Sequence, residues 1–336
     1  MKRTRLIASA VISAGIILVI LMTVLIRFPA EKSPVWKVGV LVANDQRLTK
    51  VEGLKSELQQ LGYSEGAELK YHIENAQNDL QRMDSLGDLL LKEKPDVLVA
   101  AGAVEAQTLQ EVTANNKVQV PIVFMGTLSP VDIGLVQNLS QPGGNLTGLN
   151  NYHFELTPKR LELLHRLLPK VKKVAVLGDT RVPVFTKTQE ELNKVAQVLG
   201  LSVQMYTVMN SGEIQQAFES VQTDQMEAII LLPGFFLESS TPEIINRAKL
   251  SKLPVFGVYP QDTEEGCLAS YGTSNREQGV QSAHMVSKIL RGYKPNDIPV
   301  ETPDHIVFSV NLKAAQELGI HPSPSILSLA DQVIQP

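Results

Sequence analysis

The order of strands and helices constrains this chain more than any other feature, because one long alternating pattern occurs twice. Short apolar segments begin near residues 37, 68, 96 and 120, and again near 173, 202, 228 and 255, with amphipathic helical stretches between them. The segment Val97 to Ala101 is apolar throughout, as expected of a strand covered on both faces of a parallel sheet. The repeat therefore predicts an α/β fold of two doubly wound parallel-sheet lobes.

Turn signals and the residues that follow each repeat divide the chain between the lobes. The turn Pro142-Gly143-Gly144-Asn145 predicts the crossing from the first lobe to the second. A helix over 276–291 and a strand over 305–310 follow the second repeat, so we expect the chain to pass back through a multi-stranded hinge. The predicted lobes are 36–150 with about 273–296, and 151–272 with about 297–336.

The N-terminal segment predicts the compartment. A basic start, Met1 to Arg5, precedes an uncharged run from Leu6 to Ile26 that ends at Arg27. Such a run forms a helix of about 30 Å, enough for one bilayer core, whereas a cleavable signal peptide usually has an apolar region of only ~7–15 residues. We predict an uncleaved signal anchor over residues 1–35 with one transmembrane helix, and a cleaved signal peptide is the alternative. Both place the body on the extracytoplasmic side of the cell membrane.

Charge and composition exclude several classes of function. The chain has 31 basic and 35 acidic residues, and 27 against 35 remain when Lys2, Arg3, Arg5 and Arg27 are left out. Such a body lacks the basic surface that phosphate-backbone binding requires, so no nucleic acid partner is expected. The single cysteine, Cys267, permits no intrachain disulfide and no cysteine metal cluster. The scattered histidines and the lack of catalytic motifs predict no metal, no cofactor and no enzymatic activity.

Polar and aromatic residues follow the predicted strands at the edge where open parallel sheets bind ligands. Thr127 and Ser129 offer hydroxyls, Asp179 offers a carboxylate for an ammonium group, and Phe235 with Phe236 suits an apolar or aromatic group. Each has a structural alternative, since Asp179 also suits a helix cap and the two phenylalanines also suit the core. The predicted ligand-binding residues of the inter-lobe cleft are Asn44, Asp45, Gly102, Ala103, Thr127, Ser129, Asp179, Thr180, Phe235, Phe236 and Tyr259.

Two longer segments are similar to a known family. Ser129 to Val136, followed by Asn138 to Gly148 with its Pro-Gly-Gly-Asn turn, resembles the ABC-transporter substrate-binding proteins that include the tryptophan- and tyrosine-linked lipoproteins. The resemblance covers about residues 36–333 and implies a type I periplasmic-binding fold, a transport role and amino acid ligands, aromatic ones among them. The chain departs from the family at Gly102-Ala103-Val104, where Gly-Thr-Pro is usual, which suggests a less polar ligand or a degenerate site. The tail segments that agree are Ile298–Glu301, Val310–Ala315 and Leu318–Ile320.

The residues and the resemblance together favour an extracytoplasmic solute-binding protein of an ABC importer. Its lobes would close on a small molecule and present it to an ABC permease with its ATPase. Two alternatives remain at this point, a membrane-tethered ligand-sensing module for a signalling partner and an exported enzyme.

Overall fold

The computed structural model of the protein describes residues 35–336. The predicted transmembrane helix over residues 6–26 lies outside this range. Among the helices within it, none combines the length and the apolar character needed to cross a bilayer.

The first half of the chain builds a five-stranded sheet in which all neighbouring strands are parallel. Its strands are β1 (Trp36–Val42), β2 (Leu69–Asn75), β3 (Val97–Ala100), β4 (Ile122–Thr127) and β5 (Leu146–Asn150), in the spatial order β2-β1-β3-β4-β5. The helices that cover it are Leu48–Gln60, Met83–Lys92, Ala103–Asn115 and, from late in the chain, Asn275–Leu290.

The second half builds a seven-stranded sheet that is parallel except for one pair. Its strands are β6 (Lys173–Gly178), β7 (Ser202–Thr207), β8 (Ala228–Leu231), β9 (Val255–Gly257), β10 (Ala269–Gly272), β11 (Val307–Asn311) and β12 (Gln332–Ile334), in the order β12-β11-β10-β9-β8-β6-β7. Its helices are His153–Leu167, Phe185–Leu199, Ser211–Thr223, Phe235–Leu250, Pro260–Glu265, Leu312–Glu317 and Pro324–Leu327. Only β10 and β11 run antiparallel within the described part of the chain, because β11 enters this sheet directly from the other lobe.

Both sheets are covered by apolar side chains on both faces. Successive strand residues point to opposite faces, so Val40 and Leu41 of β1 belong to two separate core clusters. The same holds for Val176 and Leu177 of β6. Each sheet therefore lies between two layers of helices, and the predicted architecture of two doubly wound α/β lobes is confirmed.

Three segments connect the lobes, as expected of a multi-stranded hinge, but the turn Pro142–Asn145 is not the first crossing. The turn Pro142–Asn145 stays in the first lobe, because the carbonyl of Asn145 accepts a hydrogen bond from Ile122 and the chain then forms β5. The crossing follows Asn150 instead. The fifth strand was missed because its sequence, Leu-Thr-Gly-Leu-Asn, mixes polar and apolar residues without a clear period.

The helix Asn275–Leu290 returns to the first lobe and lies directly against the helix Leu48–Gln60. Two glycines form this contact: a Cβ atom on Gly53 would overlap the carbonyl oxygen of Arg276, and one on Gly279 would overlap the carbonyl oxygen of Lys50. Because both overlaps are with backbone atoms, only glycine permits the helices to approach this closely.

Candidate functional site

A cavity of about 170 Å³ lies between the lobes, where the carboxyl ends of strands from both sheets meet. Most of its wall is apolar, which suits a hydrophobic ligand group. The apolar lining residues are Leu80, Ala103, Val104, Leu128, Ile133, Val182, Pro183, Pro233 and Phe235.

Five of the eleven predicted residues line this cavity, and each stands just beyond a strand or at the start of a helix. Thr127 ends β4, Asp179 follows β6, and Tyr259 follows β9. Ala103 and Phe235 begin the helices 103–115 and 235–250, one from each lobe. The rule that ligands bind beyond the carboxyl ends of parallel strands therefore identifies cavity-lining residues in both lobes.

Three predicted residues point elsewhere and are not part of the cavity wall. Asp45 is exposed and accepts a hydrogen bond from Asn75 Nδ2 at 2.7 Å. Thr180 is exposed and its hydroxyl contacts Met209 Sδ at 3.3 Å. Phe236 packs against the core of the second lobe, because it follows Phe235 on a helix, where successive side chains diverge.

The remaining three predicted residues lie behind the wall rather than in it. Asn44 is buried, and its side-chain oxygen accepts a hydrogen bond from the backbone of Arg47 at 3.3 Å. Gly102 is the N-cap of the helix 103–115, and a Cβ atom there would overlap the Arg47 guanidinium. Ser129 is buried with a left-handed φ of 46°, and its hydroxyl has no hydrogen-bond partner among the described residues.

The two phenylalanines are separable by mutation. We expect Phe235→Ala to weaken ligand binding with little change in stability, because this ring faces the cavity. Phe236→Ala should lower the free energy of unfolding by about 2 kcal/mol and leave affinity nearly unchanged, because this ring packs on the core. Urea unfolding and calorimetric titration of each variant measure the two quantities, and equal effects of both substitutions on both quantities would contradict this assignment.

A buried charge network that joins the lobes was not predicted from the sequence. Arg47 Nη1 lies 2.6 Å from Glu105 Oε2 in its own lobe, and Arg47 Nη2 lies 2.9 Å from Glu238 Oε2 on the helix 235–250 of the other lobe. Asn275 Nδ2 donates to the second oxygen of Glu238 at 3.2 Å. Burial disfavours the guanidinium charge, but the two carboxylates outweigh it and raise the pKa of Arg47.

A second ion pair crosses the cleft at its rim. Lys187 Nζ lies 2.9 Å from Asp132 Oδ1, and both side chains are about half exposed. Together with the pair of Arg47 and Glu238, this contact joins the walls of the two lobes. The cleft is therefore closed.

A buried lysine, Lys50, was also missed. It is 2% exposed and lines the cavity, and its ammonium group donates to the carbonyls of Ala101 at 2.8 Å and Met125 at 2.9 Å. Burial, and then the charge of Arg47, lowers the pKa of Lys50 to about 8. Lys50 is the third residue of a helix that starts beyond β1, and this position was the only sign in the sequence that it could line the cavity.

Asp179 is held by a neighbouring arginine rather than by a helix. Arg181 Nε donates to Asp179 Oδ1 at 2.9 Å and Arg181 Nη2 donates to Oδ2, so the guanidinium engages both carboxylate oxygens. These hydrogen bonds raise the pKa of Arg181, whose side chain is about half exposed. Both residues line the cavity, so a ligand in it meets an ion pair at this wall.

The floor near Tyr259 contains a buried arginine and histidine. The rings of Tyr259 and His153 meet edge to face at a centroid distance of 4.9 Å. Arg160 Nη2 lies 2.8 Å from His153 Nδ1, and Arg160 Nε donates to the carbonyl of Tyr271. Burial, and then the charge of Arg160, lowers the pKa of His153 well below its usual value, so this imidazole is neutral. Within residues 35–336, no group of three metal-ligating side chains occurs.

Comparison with known proteins assigns the family. The chain belongs to the ABC transporter substrate-binding proteins, whose family pattern matches residues 37–334. It is 28% identical over 261 residues to a tyrosine-binding protein of Clostridioides difficile strain R20291, a match that covers 77% of this chain and 73% of that protein. The family consists of solute-binding proteins.

Two solved structures show the same fold. An ABC domain in complex with L-Trp from Streptococcus pneumonia is 28% identical with a TM-score of 0.81, covering 89% of this chain and 99% of that one. The ligand-free, open structure of a substrate-binding protein with adhesive properties from Clostridium difficile is 26% identical with a TM-score of 0.66, covering 90% and 100%. The expected type I periplasmic-binding fold is therefore confirmed.

Proposed function

We propose that this protein is the receptor of an ABC importer and captures an amino acid with an aromatic or apolar side chain in the inter-lobe cleft. The observation that carries this proposal is the cavity itself, which lies where both sheets end and has an apolar wall with a few charged groups. The tyrosine-binding and L-Trp-bound relatives support an aromatic amino acid as the ligand.

The cavity has groups suited to both parts of such a ligand. The side chain would lie among Val104, Ile133 and Phe235, which are apolar. The charged end would lie toward Thr127, whose hydroxyl has no partner in the described part of the chain, and toward the ion pair of Asp179 and Arg181. A zwitterion needs both an anion site and a cation site, and these walls offer candidates for each.

Closure of the lobes is the proposed signal to the transporter. The TM-score is higher with the L-Trp complex than with the ligand-free, open relative, and the pair of Arg47 and Glu238 joins the lobes across the cleft. Both observations support a hinge that closes on the ligand. The lobes that move would be 36–150 with about 273–296, and 151–272 with about 297–336.

The proposed partners follow from the family. An ABC permease with its ATPase would receive the closed protein, and an uncleaved helix over residues 6–26 would tether it to the extracytoplasmic face of the cell membrane. Loss of membrane association when this segment alone is deleted would support the tether, and full retention would oppose it.

A thermal-shift screen of the twenty amino acids and a set of simple sugars tests the ligand class. We expect tryptophan, tyrosine, phenylalanine or leucine to raise the unfolding temperature, because a ligand at 100 times its Kd adds ~2.7 kcal/mol to the free energy of unfolding. Aspartate and lysine should give no shift, since the apolar wall would desolvate their side-chain charges without a partner. A shift with sugars and none with any apolar amino acid would refute the proposed ligand class.

A further inference from the structure

The ammonium group of Lys50 stands at the carboxyl edge of the first sheet with part of its bonding capacity unused. It donates to the carbonyl of Ala101, just past β3, and to the carbonyl of Met125 in β4. An ammonium has three N–H donors, and two are accounted for within residues 35–336. The side chain is almost fully buried, so bulk water does not compensate for the third.

The other charged groups of the cavity wall are already paired. Arg47 is held by Glu105 and Glu238, and Arg181 engages Asp179. Among the described residues of the wall, Lys50 is the cation that forms no ion pair. A buried charge without a counter-charge is costly, and the ligand space lies directly beside it.

A second buried group points to an anion at the same place. Thr127 is 1% exposed and lines the cavity, and its hydroxyl has no hydrogen-bond partner within residues 35–336. It lies two residues after Met125, whose carbonyl accepts from Lys50. The helix 103–115 also begins at this cavity, with backbone N–H groups that favour an anion.

We propose that Lys50 and Thr127 hold the carboxylate of the ligand. The inference rests on the proposed function, since it assigns one end of the same ligand in the same cavity. The carboxylate would accept the third N–H of Lys50 and the hydroxyl proton of Thr127, and it would neutralise the buried ammonium. The ligand class is then an apolar body that carries a free carboxylate, and an amine without a carboxylate is rejected.

The alternative role for Lys50 is purely structural. Its two hydrogen bonds tie the ends of β3 and β4 to the helix Leu48–Gln60. That role predicts lower stability for a variant without the ammonium but no dependence of binding on the carboxylate of the ligand. The two roles are therefore distinguished by changing the ligand as well as the protein.

Three probes separate the ligand charges in calorimetric titrations of the full chain. L-tryptophan has both charged groups, tryptamine has only the ammonium, and indole-3-propionate has only the carboxylate. We expect tryptamine to bind at least about 100-fold more weakly than L-tryptophan, because hydrogen bonds to charged groups contribute ~1.5–3 kcal/mol each. Indole-3-propionate should keep measurable affinity.

The variant Lys50→Met tests the residue, and Lys55→Met is its control. Lys55 is on the same helix but pairs with Glu65 near the surface. Lys50→Met should bind L-tryptophan about 10- to 100-fold more weakly and should lose most of the discrimination against tryptamine. Lys55→Met should keep both wild-type values. Unchanged discrimination in a folded Lys50→Met variant, or equal affinity of the wild type for tryptamine and L-tryptophan, would overturn the assignment.

The pH dependence of binding gives a test on the wild-type protein alone. The pKa of Lys50 is lowered to about 8, and an anion binds its charged form. Affinity for indole-3-propionate should be constant below pH 8 and should fall above it by up to about tenfold per pH unit. The probe has no group that titrates there. A flat profile between pH 7 and 9.5 would count against the lysine.

The groups that face this lysine do not produce the same profile. Arg47 stays charged because its carboxylate partners, Glu105 and Glu238, raise its pKa. His153 is neutral because burial lowers its pKa, and Tyr259 stays protonated because burial raises its pKa well above the usual value. A decrease in affinity above pH 8 therefore reports on the lysine.

The same titrations distinguish failure of this inference from failure of the proposed function. Binding of indole-3-propionate without binding of any amino acid would refute the amino acid function and support the carboxylate site. Binding of L-tryptophan with unchanged discrimination against tryptamine in Lys50→Met would support the amino acid function and refute the carboxylate site. If none of the three probes and no amino acid binds, both are refuted.

Discussion

Replacing Arg47 with methionine is expected to open the cleft and to weaken ligand binding by about 100-fold or more. The substitution leaves the carboxylates of Glu105 and Glu238 buried without a cation, and breaking a buried pair in this way costs roughly 3–5 kcal/mol. Glu238 belongs to the opposite lobe, so the chain can relieve part of this cost by separating the lobes. The closed state loses stability relative to the open state, and ligand binding requires the closed state.

Small-angle scattering and calorimetric titration measure the two expected changes. At a ligand concentration that closes the wild-type protein, the radius of gyration of the variant should exceed that of the wild type, and Kd should rise. Glu238→Gln is a useful second variant, because it removes the charge across the cleft while Arg47 keeps its partner Glu105 in the first lobe. It should open the lobes with a smaller loss of stability than Arg47→Met.

The rim pair provides the matched control for this prediction. Lys187→Met removes the other ion pair that crosses the cleft, the one with Asp132, but both of these side chains are solvated. Exposed pairs contribute about 0–1 kcal/mol, so the affinity should change less than about fivefold. Equal effects of Lys187→Met and Arg47→Met, or wild-type affinity in a folded Arg47→Met variant, would show that the buried network does not control closure.

The buried network of Arg47, Glu105 and Glu238 could not be predicted from the sequence, whereas other site residues could. The strand-end rule found Thr127, Asp179 and Tyr259, because it depends only on local strand patterns. Arg47 was not found because its partners are 58 and 191 residues away in the chain. No local pattern marks such a contact, whereas the apolar strands that position it are visible in any short window.

One wrong helix boundary had a direct consequence for the site. The sequence predicts a helix over Pro242–Ser251, since proline is favoured in the first turn of a helix and lacks the N–H that would continue one. The helix begins at Phe235 and contains Pro242, so Glu238 lies on it and reaches Arg47. A helical segment 235–238 also explains why Phe235 and Phe236 face different surroundings. The strands Lys173–Gly178 and Ser202–Thr207, by contrast, begin where the sequence predicts, near residues 173 and 202.

The contact between the helices Leu48–Gln60 and Asn275–Leu290 should be the most sensitive part of the first lobe to a single added methyl group. Gly279→Ala places a Cβ atom against the carbonyl of Lys50. This carbonyl belongs to the backbone of a helix, so it cannot rotate away as a side chain can. We expect the free energy of unfolding to fall by roughly 1–3 kcal/mol in urea. Gly212→Ala is the control, because its Cβ atom would contact only a side-chain oxygen of Asn210 at 3.3 Å, and alanine is the better helix former.

The glycine on the other helix of this contact, Gly53, allows a second test of the prediction. Gly53→Ala meets the carbonyl of Arg276 on the facing helix, so both substitutions are relieved by the same separation of the two helices. The double variant should therefore lose less stability than the sum of the two single variants, a coupling that distant sites do not show. Because Gly279 contacts the backbone of Lys50, the separation also displaces the ammonium proposed to hold the ligand. Weaker binding of indole-3-propionate should accompany the loss of stability in Gly279→Ala, and strictly additive stabilities would show that the helices do not move together.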